Sequence, residues 1–346
     1  MKFIHIADVH LGSAMKRFSA LNAGERNGEI VSAFLRVLDY AKERDIKTVV
    51  IAGDLFDSNA PFSVDKDVLY SAVKRNPDIN FLYLRGNHDD VLEMSLPNLL
   101  LFNNTPTSYE IGDLTFTGVE IDDSNYTTFY DSLDLDANKK NVLILHGEAS
   151  SEAAKDKIAL SKLKDKGVDY LALGHIHSFY EGRIDDRGVY VNPGCLEGRG
   201  FDECGEKGFV VVDGENFKWK FVKNSYRVVR EVEVDLTETK DVYEAIALVK
   251  SSVSASKRDV LRITLKGGLT YATDVKPLVY EQCKNDYYYV EVKNETYQAV
   301  NVDDLLTDLS LKGEFVRETT KSTDVTDEER KKILAIGLNL LEKRTI

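Results

Sequence analysis

Residues 3–12 have the sequence FIHIADVHLG, in which an apolar run passes directly into two possible metal ligands. The run from 3 to 7 has the composition of a short buried strand, and Asp8 and His10 follow it. Side chains two residues apart in an extended segment point the same way, so Asp8 and His10 can reach one metal ion. His5 lies inside the run, which favours a structural role. This stretch therefore predicts a strand that ends at a metal site.

Four more apolar runs end in clusters of possible ligands. The runs cover residues 48–52, 81–84, 142–145 and 170–173. The clusters that follow them are Gly53-Asp54-Leu55-Phe56-Asp57, Gly86-Asn87-His88-Asp89, His146-Gly147-Glu148 and Gly174-His175-Ile176-His177. The amphipathic stretches between the runs predict an α/β domain, in which ligands bind outside the carboxyl ends of the strands. Because five of the six histidines lie in these clusters, the sequence predicts one convergent site.

The residue types in these clusters narrow the choice of metal. Imidazole, carboxylate and amide groups suit Mn, Fe or Zn better than Ca. The candidates are too many for one tetrahedral ion, and they fit two ions about 3.5–4 Å apart, an arrangement used to hydrolyse phosphate esters. Asp54 is the carboxylate that we expect to bridge the two ions. The glycines before Asp54, Asn87 and His175 are expected to allow sharp turns.

The composition is that of an ordinary globular protein, with 43% apolar and 30% charged residues among 346. No apolar run is long enough to span a bilayer, and the N-terminus predicts a strand and not a signal peptide. We therefore expect a cytoplasmic protein with no membrane association. The three cysteines lack the spacing of a zinc site and are expected to be reduced thiols. The net charge of −13 argues against nucleic-acid binding by bulk electrostatics alone.

The pattern along the chain changes near residue 226. Strands are predicted at 227–236, 260–265 and 287–292, and helices at 241–250 and 275–283. These segments predict a second, smaller α+β domain. Beyond it, residues 302–316 are a weaker helical candidate, and Thr326 with Glu329 matches a capping box that opens a last helix. We therefore expect domains at 1–225, 226–295 and 296–346.

The motifs at strand ends resemble the four core motifs of calcineurin-like metallophosphoesterases. A finer similarity is to the SbcD-type family of DNA-repair exonucleases, the nuclease subunits of SbcCD-like double-strand-break repair complexes. It rests on residues 3–12, on Leu145-His146-Gly147-Glu148 and on Val191-Asn192-Pro193-Gly194-Cys195-Leu196-Glu197-Gly198-Arg199. The similarity is specific over residues 1–225 and looser beyond them. The family usually has serine at the position of Cys195, a departure that leaves the ligand set intact.

The resemblance implies a role for each matching residue. The first metal ion would be bound by Asp8, His10 and His177, the second by Asn87, His146 and His175, and Asp54 would bridge them. His88 would stabilise the transition state or protonate the leaving oxygen, and Asp57 would orient His88. The two divalent ions would be Mn²⁺, which the family favours. Arg199 lies in a glycine-rich loop and is a further candidate for contact with phosphate.

The resemblance also implies the fold and the partners. We expect a four-layer αββα sandwich of the α/β (α+β) class, a small α+β cap domain that positions DNA, and C-terminal helices. Those helices would dock on the coiled-coil base of an SbcC-type ATPase, and the chain would form a homodimer. The function would be Mn²⁺-dependent DNA cleavage in repair, exonucleolytic on duplex ends and endonucleolytic on single strands or hairpins. The ATPase would supply much of the DNA-binding surface that this acidic chain lacks.

Two other functions are compatible with the same residues. One is a phosphoesterase of the same fold that acts on a small phosphodiester or a phosphoprotein, although the cap, the tail and the Asn-Pro-Gly loop argue against it. The other is an assembly subunit that has lost catalysis, but such proteins usually lack ligands and none is missing here. A comparison of the turnover of cyclic nucleotides and phosphopeptides with the turnover of DNA distinguishes the first alternative from a DNA nuclease. Absence of both metal binding and activity would favour the second.

Overall fold

All five apolar runs found in the sequence are strands in the computed structural model. The structure describes residues 1–15, 20–58, 62–89, 92, 94–299 and 302–343. The chain divides into two units, Met1–Val229 and Arg230–Ile346. The strands of the first unit are β1 (Lys2–Ile6), β2 (Thr48–Ala52), β3 (Asn80–Leu84), β4 (Leu99–Leu101), β5 (Thr107–Ile111), β6 (Leu114–Gly118), β7 (Lys140–His146), β8 (Glu148–Ser150), β9 (Lys157–Ala159), β10 (Tyr170–Gly174), β11 (Tyr180–Arg183), β12 (Val189–Asn192), β13 (Gly208–Asp213) and β14 (Lys218–Lys223). Its helices are α1 (Ala20–Glu43), α2 (Ser63–Arg75) and α3 (Phe129–Ser132), with a 3₁₀ turn at Leu160–Lys162.

Two six-stranded sheets form the framework of the first unit. Their strand orders are β14-β13-β1-β2-β3-β4 and β11-β12-β10-β7-β6-β5. The strands β1 to β4 are parallel, as are β6, β7, β10 and β12, whereas the remaining pairs toward the edges are antiparallel. The sheets pack face to face on buried side chains from both, among them Phe3 and Leu82 from one sheet and Phe116 and Ile144 from the other.

The outer faces of the two sheets are covered in different ways. The helix α1 packs on the first sheet, where the rings of Tyr40 and Phe209 meet with 5.0 Å between centroids. The outer face of the second sheet, which includes Leu143 and Leu171, is covered by the single-turn α3 and by loop residues such as Leu163. The predicted αββα order is therefore confirmed, although its fourth layer consists mostly of loops.

The second unit contains an α+β body followed by helices. Its strands are β15 (Val229–Asp235), β16 (Val260–Lys266), β17 (Gly268–Leu269), β18 (Tyr289–Asn294) and β19 (Tyr297–Gln298). Its helices are α4 (Val242–Ser252), α5 (Val275–Cys283), α6 (Val302–Leu306), α7 (Leu311–Lys321) and α8 (Asp327–Lys343). The three-stranded sheet β15-β16-β18 shares its core with α4 and α5. The last helices pack around Val316, Leu334 and Leu338.

The C-terminal helices differ from their prediction in one place. The predicted helix over 302–316 is two helices, α6 and α7, because Asp308 accepts a hydrogen bond from the Ser310 N–H over 2.7 Å and forms a turn. The capping box of α8 is confirmed, since the Thr326 N–H donates to Glu329 over 2.8 Å and the Glu329 N–H donates to the Thr326 hydroxyl over 3.3 Å. Within the described residues, no helix is both long and apolar enough to cross a membrane.

Candidate metal centre

The segments that follow β1 and β2 are joined by main-chain hydrogen bonds. The Asp8 N–H donates to the Gly53 carbonyl over 3.1 Å, and the His10 N–H donates to the Asp54 carbonyl over 3.1 Å. These bonds continue the parallel pairing of the two strands past their last residues. The side chains of Asp8, His10 and Asp54 are therefore held at the same end of the first sheet.

The second sheet brings its own ligands to the same place. Gly174 of β10 is paired with His146 of β7, so the carboxyl ends of these strands are level. The N–H of the next residue, His175, donates to both carboxylate oxygens of Asp8, over 2.9 and 3.0 Å. This contact joins the two sheets directly at the site, and it places the ligands of both sheets around one cavity.

Four candidate ligands have backbone angles that are unusual for residues with side chains. The φ values are 49° at Asp8, 53° at His10, 49° at Asp54 and 90° at His175. A non-glycine residue in such a conformation costs about 1–3 kcal/mol and persists only where its surroundings fix it. Strain of this kind concentrates at functional sites, so the backbone independently marks the same residues as the motifs do.

The glycines of the site are required for two different reasons. Gly53 has a φ of +92°, as a sharp turn requires, and a Cβ there would also overlap the His146 imidazole. At Gly86 and Gly174 the angle is not in the left-handed region, but a Cβ would overlap the Asp54 side chain and a main-chain oxygen, respectively. The predicted sharp turn is thus correct for Gly53. At Gly86 and Gly174, glycine is required because neighbouring atoms lie too close to the main chain to leave room for a Cβ.

Asp8, His10 and His177 form the first ligand group. They offer ligand atoms that lie within 4.8 Å of one another. The Nε2 atoms of His10 and His177 are 3.1 Å apart, and His177 Nε2 is 4.0 Å from the Asp8 carboxylate. Burial raises the pKa of Asp8 to about 6, although the charges of neighbouring histidines lower it. Burial also lowers the pKa of His10 to about 4, so this histidine is neutral and able to bind a metal.

Asp54, His146 and His175 form the second ligand group, again with ligand atoms within 4.8 Å of one another. His146 Nδ1 is 2.9 Å from the Ala52 carbonyl, and its Nε2 atom is 3.3 Å from Asp54 Oδ2. That Nε2 atom is buried and makes no well-aligned hydrogen bond. Burial lowers the pKa of His175.

The residues of both groups fit divalent metal ions. Burial alone would lower the pKa of His146, but Asp54 and Asp8 raise it to about 9. Burial would likewise raise the pKa of Asp54, but the adjacent His146 holds it below its usual value. The space between the two side chains thus favours a positive charge, which a metal ion would supply. Imidazole nitrogens and carboxylate oxygens without cysteine suit Mn, Fe or Zn.

Asn87 lies at the rim of the second group. Its side chain is exposed, and its amide N–H donates to Asp156 over 2.7 Å, which leaves the amide oxygen free to face a metal. Its role as a ligand stays a prediction. Asp156 was not predicted, because it lies in a loop far along the chain from Asn87 and belongs to none of the motifs.

His88 stands at the opening of the site. Its side chain is exposed, and its ring centroid is 5.5 Å from that of His10. Its main-chain N–H donates to Asp54 Oδ1 over 2.9 Å, which ties the loop to the predicted bridging carboxylate. An exposed imidazole beside buried ligands is accessible to a substrate, as the predicted role of His88 requires.

Asp57 and Arg199 lie behind the first ligand group. Asp57 Oδ1 is 3.2 Å from His10 Nδ1, and Arg199 Nη1 donates to the same oxygen over 2.6 Å. Among the described residues, these are the side chains that the Asp57 carboxylate contacts, so its predicted action on His88 stays a prediction. The Arg199 guanidinium also donates to Glu203 from Nε and Nη2. Contact of Arg199 with phosphate likewise stays a prediction.

Glu203 is a site residue that the sequence did not reveal. Glu203 Oε1 is 2.7 Å from His177 Nδ1, and the side chain is buried. Burial would raise the pKa of Glu203, but His177 and Arg199 hold it well below its usual value. A carboxylate that accepts from the far nitrogen of a ligand histidine fixes the orientation of its ring. The only signal available was the acidic side chain four residues after Arg199.

Three other residues from the motifs lie outside the two ligand groups. His5 is fully buried between the Tyr170 hydroxyl and the Leu173 carbonyl, each 3.0 Å away. It is a core histidine with both ring nitrogens paired, as predicted. Cys195 is buried with its thiol 3.5 Å from the His177 carbonyl, and burial raises the thiol pKa. Glu148 begins β8 with an exposed side chain.

Comparisons with known proteins agree with this geometry. Residues 1–216 match the calcineurin-like phosphoesterase superfamily domain. The DNA double-strand break repair protein Mre11 of Sulfolobus acidocaldarius is 24% identical over 97% of this chain and 94% of that protein. The Saccharolobus solfataricus protein of the same name is 25% identical over 87% and 84%. The uncharacterized metallophosphoesterase YhaO of Bacillus subtilis is 24% identical over 77% and 72%.

The family match covers both sheets of the first unit except the edge strand β14, and it includes every residue of the two ligand groups. The strand order places those residues at the carboxyl ends of the central strands, where the family motifs were found in the sequence. On this basis the chain belongs to the calcineurin-like phosphoesterase superfamily and is a phosphoester hydrolase.

Proposed function

We propose that this hydrolase is a Mn²⁺-dependent DNA nuclease of the SbcD type that cleaves phosphodiesters at a two-metal centre. The observation that carries the proposal is the convergence of two separate ligand groups at the strand ends of both sheets. Two ions held side by side are the arrangement that suits phosphodiester hydrolysis. DNA is proposed as the substrate because two relatives that match 97% and 87% of this chain are DNA double-strand break repair proteins.

The proposal assigns the metal ligands as the sequence predicted them. The first ion would be held by Asp8, His10 and His177, the second by Asn87, His146 and His175, and both by Asp54. When bound, the ions would supply Lewis-acid activation of water and of the scissile phosphate. The bridging role of Asp54 is supported by its contact with His146 of the second group and by the main-chain hydrogen bond that joins it to His10 of the first group.

The proton chemistry is assigned to His88. Its exposed ring lies beside His10 at the opening of the site, where it would reach the leaving oxygen of a bound phosphodiester. Protonation of a leaving oxygen is a step that histidine side chains commonly perform in catalysis. Asp57 is retained as a proposed partner of His88, and its carboxylate lies against His10.

A chain with a large negative net charge repels the phosphates of DNA, so DNA binding requires positive charge from another source. The net charge is −13, so we propose that an SbcC-type ATPase supplies much of the basic surface. The docking site would be the C-terminal helices, which expose several large apolar side chains. These are Leu311, Ile336 and Leu340 in the helices and Leu309 in the turn between α6 and α7, each more than half exposed. Apolar side chains in such number on short helices are typical of a surface that is covered by a partner.

The homodimer and the cytoplasmic location are retained as proposals. A dimer is supported by an apolar groove between α1 and α2, which contains Leu35, Val64 and Val68. Leu35 and Val64 are 42% and 64% exposed and line this groove together, and contiguous exposed apolar side chains are typical of interaction surfaces. Equilibrium sedimentation of the purified chain measures its oligomeric state directly.

The decisive experiment is cleavage of a labelled DNA duplex and a labelled hairpin in Mn²⁺, with His88→Ala as the test variant. We expect cleavage by the wild type and a loss of about 10²–10⁴-fold in the variant, the usual contribution of a general acid. Mn²⁺ binding should be unchanged in this variant, because His88 is not a proposed ligand. Binding measured by calorimetry therefore serves as the control for an intact site.

Three other outcomes would contradict parts of the proposal. Turnover of a small phosphodiester or a phosphopeptide without DNA cleavage, even with the ATPase added, would transfer the function to a small-substrate phosphoesterase. Cleavage that His88→Ala leaves unchanged would remove His88 from the mechanism. A wild-type chain that binds no divalent metal and cleaves nothing would indicate an assembly subunit.

A further inference from the structure

A ring of side-chain contacts closes behind the first ligand group. The ring consists of His10, Asp57, Arg199, Glu203 and His177. Asp57 Oδ1 is 3.2 Å from His10 Nδ1, and Arg199 donates to Asp57 over 2.6 Å and to Glu203 over 2.7 Å. Glu203 lies 2.7 Å from His177 Nδ1, and the two histidines meet at their Nε2 atoms, 3.1 Å apart. Each member therefore contacts the next without interruption.

The ring determines which nitrogen each histidine offers. In both His10 and His177, Nδ1 lies near a carboxylate, so Nε2 is the nitrogen directed at the ligand group. His10 Nδ1 makes no well-aligned hydrogen bond, whereas His177 Nδ1 is 2.7 Å from Glu203 and 3.2 Å from Arg199 Nη2. A carboxylate on the far side of a ligand imidazole fixes the ring orientation and tautomer, and it strengthens the nitrogen as a metal ligand. In the second group, by contrast, His146 Nδ1 lies against the neutral carbonyl of Ala52. Among the described residues, the carboxylates that lie behind ligand histidines thus belong to one metal position, whereas Asp156 at the second position contacts the amide of Asn87.

Arg199 makes it possible for two carboxylates to lie close together behind that position. Asp57 and Glu203 would repel each other without a cation between them, and the guanidinium contacts both. The Arg199 and Glu203 side chains are only 17% and 4% exposed, so solvent screens these charges weakly. The planar fork of arginine suits simultaneous contact with two carboxylates better than the single ammonium of lysine.

The same loop also fixes the main chain of His177. Lys207 is buried, and its Nζ donates to the His177 carbonyl over 2.8 Å. The Arg199 N–H donates to the second carboxylate oxygen of Glu203 over 2.6 Å, which fixes the orientation of that carboxylate. Arg199, Glu203 and Lys207 therefore hold both the ring and the backbone of one ligand.

We propose that Glu203 and Arg199 are positioning residues that set the metal affinity of the Asp8–His10–His177 position separately from that of the second position. Glu203 acts through His177, and Arg199 acts through both carboxylates of the ring and through its own contact with His177 Nδ1. This inference rests on the proposed two-metal centre and does not depend on DNA as the substrate. It also gives Arg199 a function without contact with phosphate.

The experiment is a titration of the chelator-treated full chain with Mn²⁺, without substrate, followed by calorimetry and by electron paramagnetic resonance. The wild type should bind two equivalents and give the spectrum of a magnetically coupled ion pair. In Glu203→Gln, the affinity for one equivalent should fall by about 10–100-fold, the usual effect of losing such a support, while the other equivalent is retained. At concentrations that fill only the retained position, the spectrum should be that of isolated Mn²⁺.

Two further variants complete the test. Arg199→Lys keeps the charge but not the fork, so it should weaken the same equivalent by a smaller factor. If Glu203→Gln does not fold, Arg199→Lys decides the question. Glu206→Gln is the matched control, because Glu206 lies in the same loop but is exposed and pairs with Lys223 at 3.2 Å. This control should bind Mn²⁺ as the wild type does.

The outcomes separate the inference from the proposed function. Unchanged binding of both equivalents in Glu203→Gln and Arg199→Lys would overturn the inference. Equal weakening of both equivalents, together with a lower melting temperature, would also overturn it, because that result describes a general loss of structure. A wild-type chain that binds fewer than two equivalents would refute the two-metal centre itself, and this would be evident before any variant is made.

Discussion

Gly53 shows at the scale of one residue how closely the ligand loops are packed. A Cβ at this position would overlap the His146 imidazole, and the backbone has a φ of +92°. We expect Gly53→Ala to lower the free energy of unfolding by about 1–3 kcal/mol, as overpacking of a buried site does, and to displace His146 from the second ligand group. Urea denaturation and a Mn²⁺ titration measure the two effects.

The control for this change is Gly205→Ala. Gly205 has the same φ of +92°, but nothing lies within 4 Å of the place where its Cβ would be. This variant should therefore show only the backbone cost, roughly 1 kcal/mol, with metal binding unchanged. If Gly53→Ala bound Mn²⁺ as tightly as Gly205→Ala does, the overlap with His146 would have no functional consequence.

His5 couples the stability of the first unit to pH. Burial lowers its pKa from 6.5 to about 3, although the Leu173 carbonyl raises it slightly. Because the unfolded chain takes up this proton at higher pH than the folded chain, stability is lost as the pH falls from about 6.5 toward 3. Between pH 7 and pH 5 the loss from His5 alone should be about 2 kcal/mol.

The variant that checks this is His5→Gln, which cannot titrate. It should be less stable than the wild type at pH 7, because the contacts with Tyr170 and Leu173 are disturbed. As the pH is lowered, the free energy of unfolding of the variant should fall less steeply than that of the wild type. The difference in stability between the two proteins should therefore be about 2 kcal/mol smaller at pH 5 than at pH 7. Urea denaturation in the presence of a chelator provides the measurement. Parallel pH profiles for the two proteins would show that His5 is not the group responsible.

At the scale of the element, α8 has two faces with different surroundings. Leu334 and Leu338 are buried against α7, whereas Ile336 is 61% exposed. We expect Ile336→Asp to leave the fold and the basal cleavage intact and to weaken binding of the cognate ATPase by about 10-fold or more, as loss of an apolar anchor does. Calorimetry with the purified ATPase measures this. The exposed Lys331→Ala on the same helix is the control, and equal effects of both changes would refute the docking role of this face.

Most elements could be predicted because their signals are local. An apolar run such as residues 48–52, followed at once by a glycine and an aspartate, predicts both a buried strand and its end, and β2 covers the same residues. The break between α6 and α7 was missed for a local reason too. The leucines at 305, 306 and 309 favour one helix, but the side chain of Asp308 competes for the main-chain N–H of Ser310.

The site could be predicted only as far as the motifs extend. Asp8, His10, Asp54, His146, His175 and His177 were predicted together, and the structure brings them into the two ligand groups. Glu203 and Asp156 were not predicted, because each contacts its partner through tertiary packing and no fixed spacing connects them. An acidic residue in a loop gives no sequence signal until the fold places it beside a histidine.

At the scale of the whole molecule, metal binding should stabilise one unit and not the other. Both ligand groups lie within Met1–Val229 and take residues from both of its sheets. We expect Mn²⁺ at 100 times its dissociation constant to stabilise this unit by about 2.7 kcal/mol per occupied position. Hydrogen exchange with and without chelator should show added protection in β1, β2, β7 and β10. Equal added protection in Arg230–Ile346 would contradict this expectation.

The pairing of β1 with β13 has a consequence for biosynthesis. Lys2 is opposite Asp213, so β1 obtains one of its two neighbours only when synthesis has passed that residue. Glu203 and Lys207, which hold His177, are also made late. Until then, a nascent chain carries Asp8 and His10 beyond a strand that lies at an open sheet edge. On the proposed ligand assignment, the first metal ion would accordingly be loaded only after the first sheet is complete.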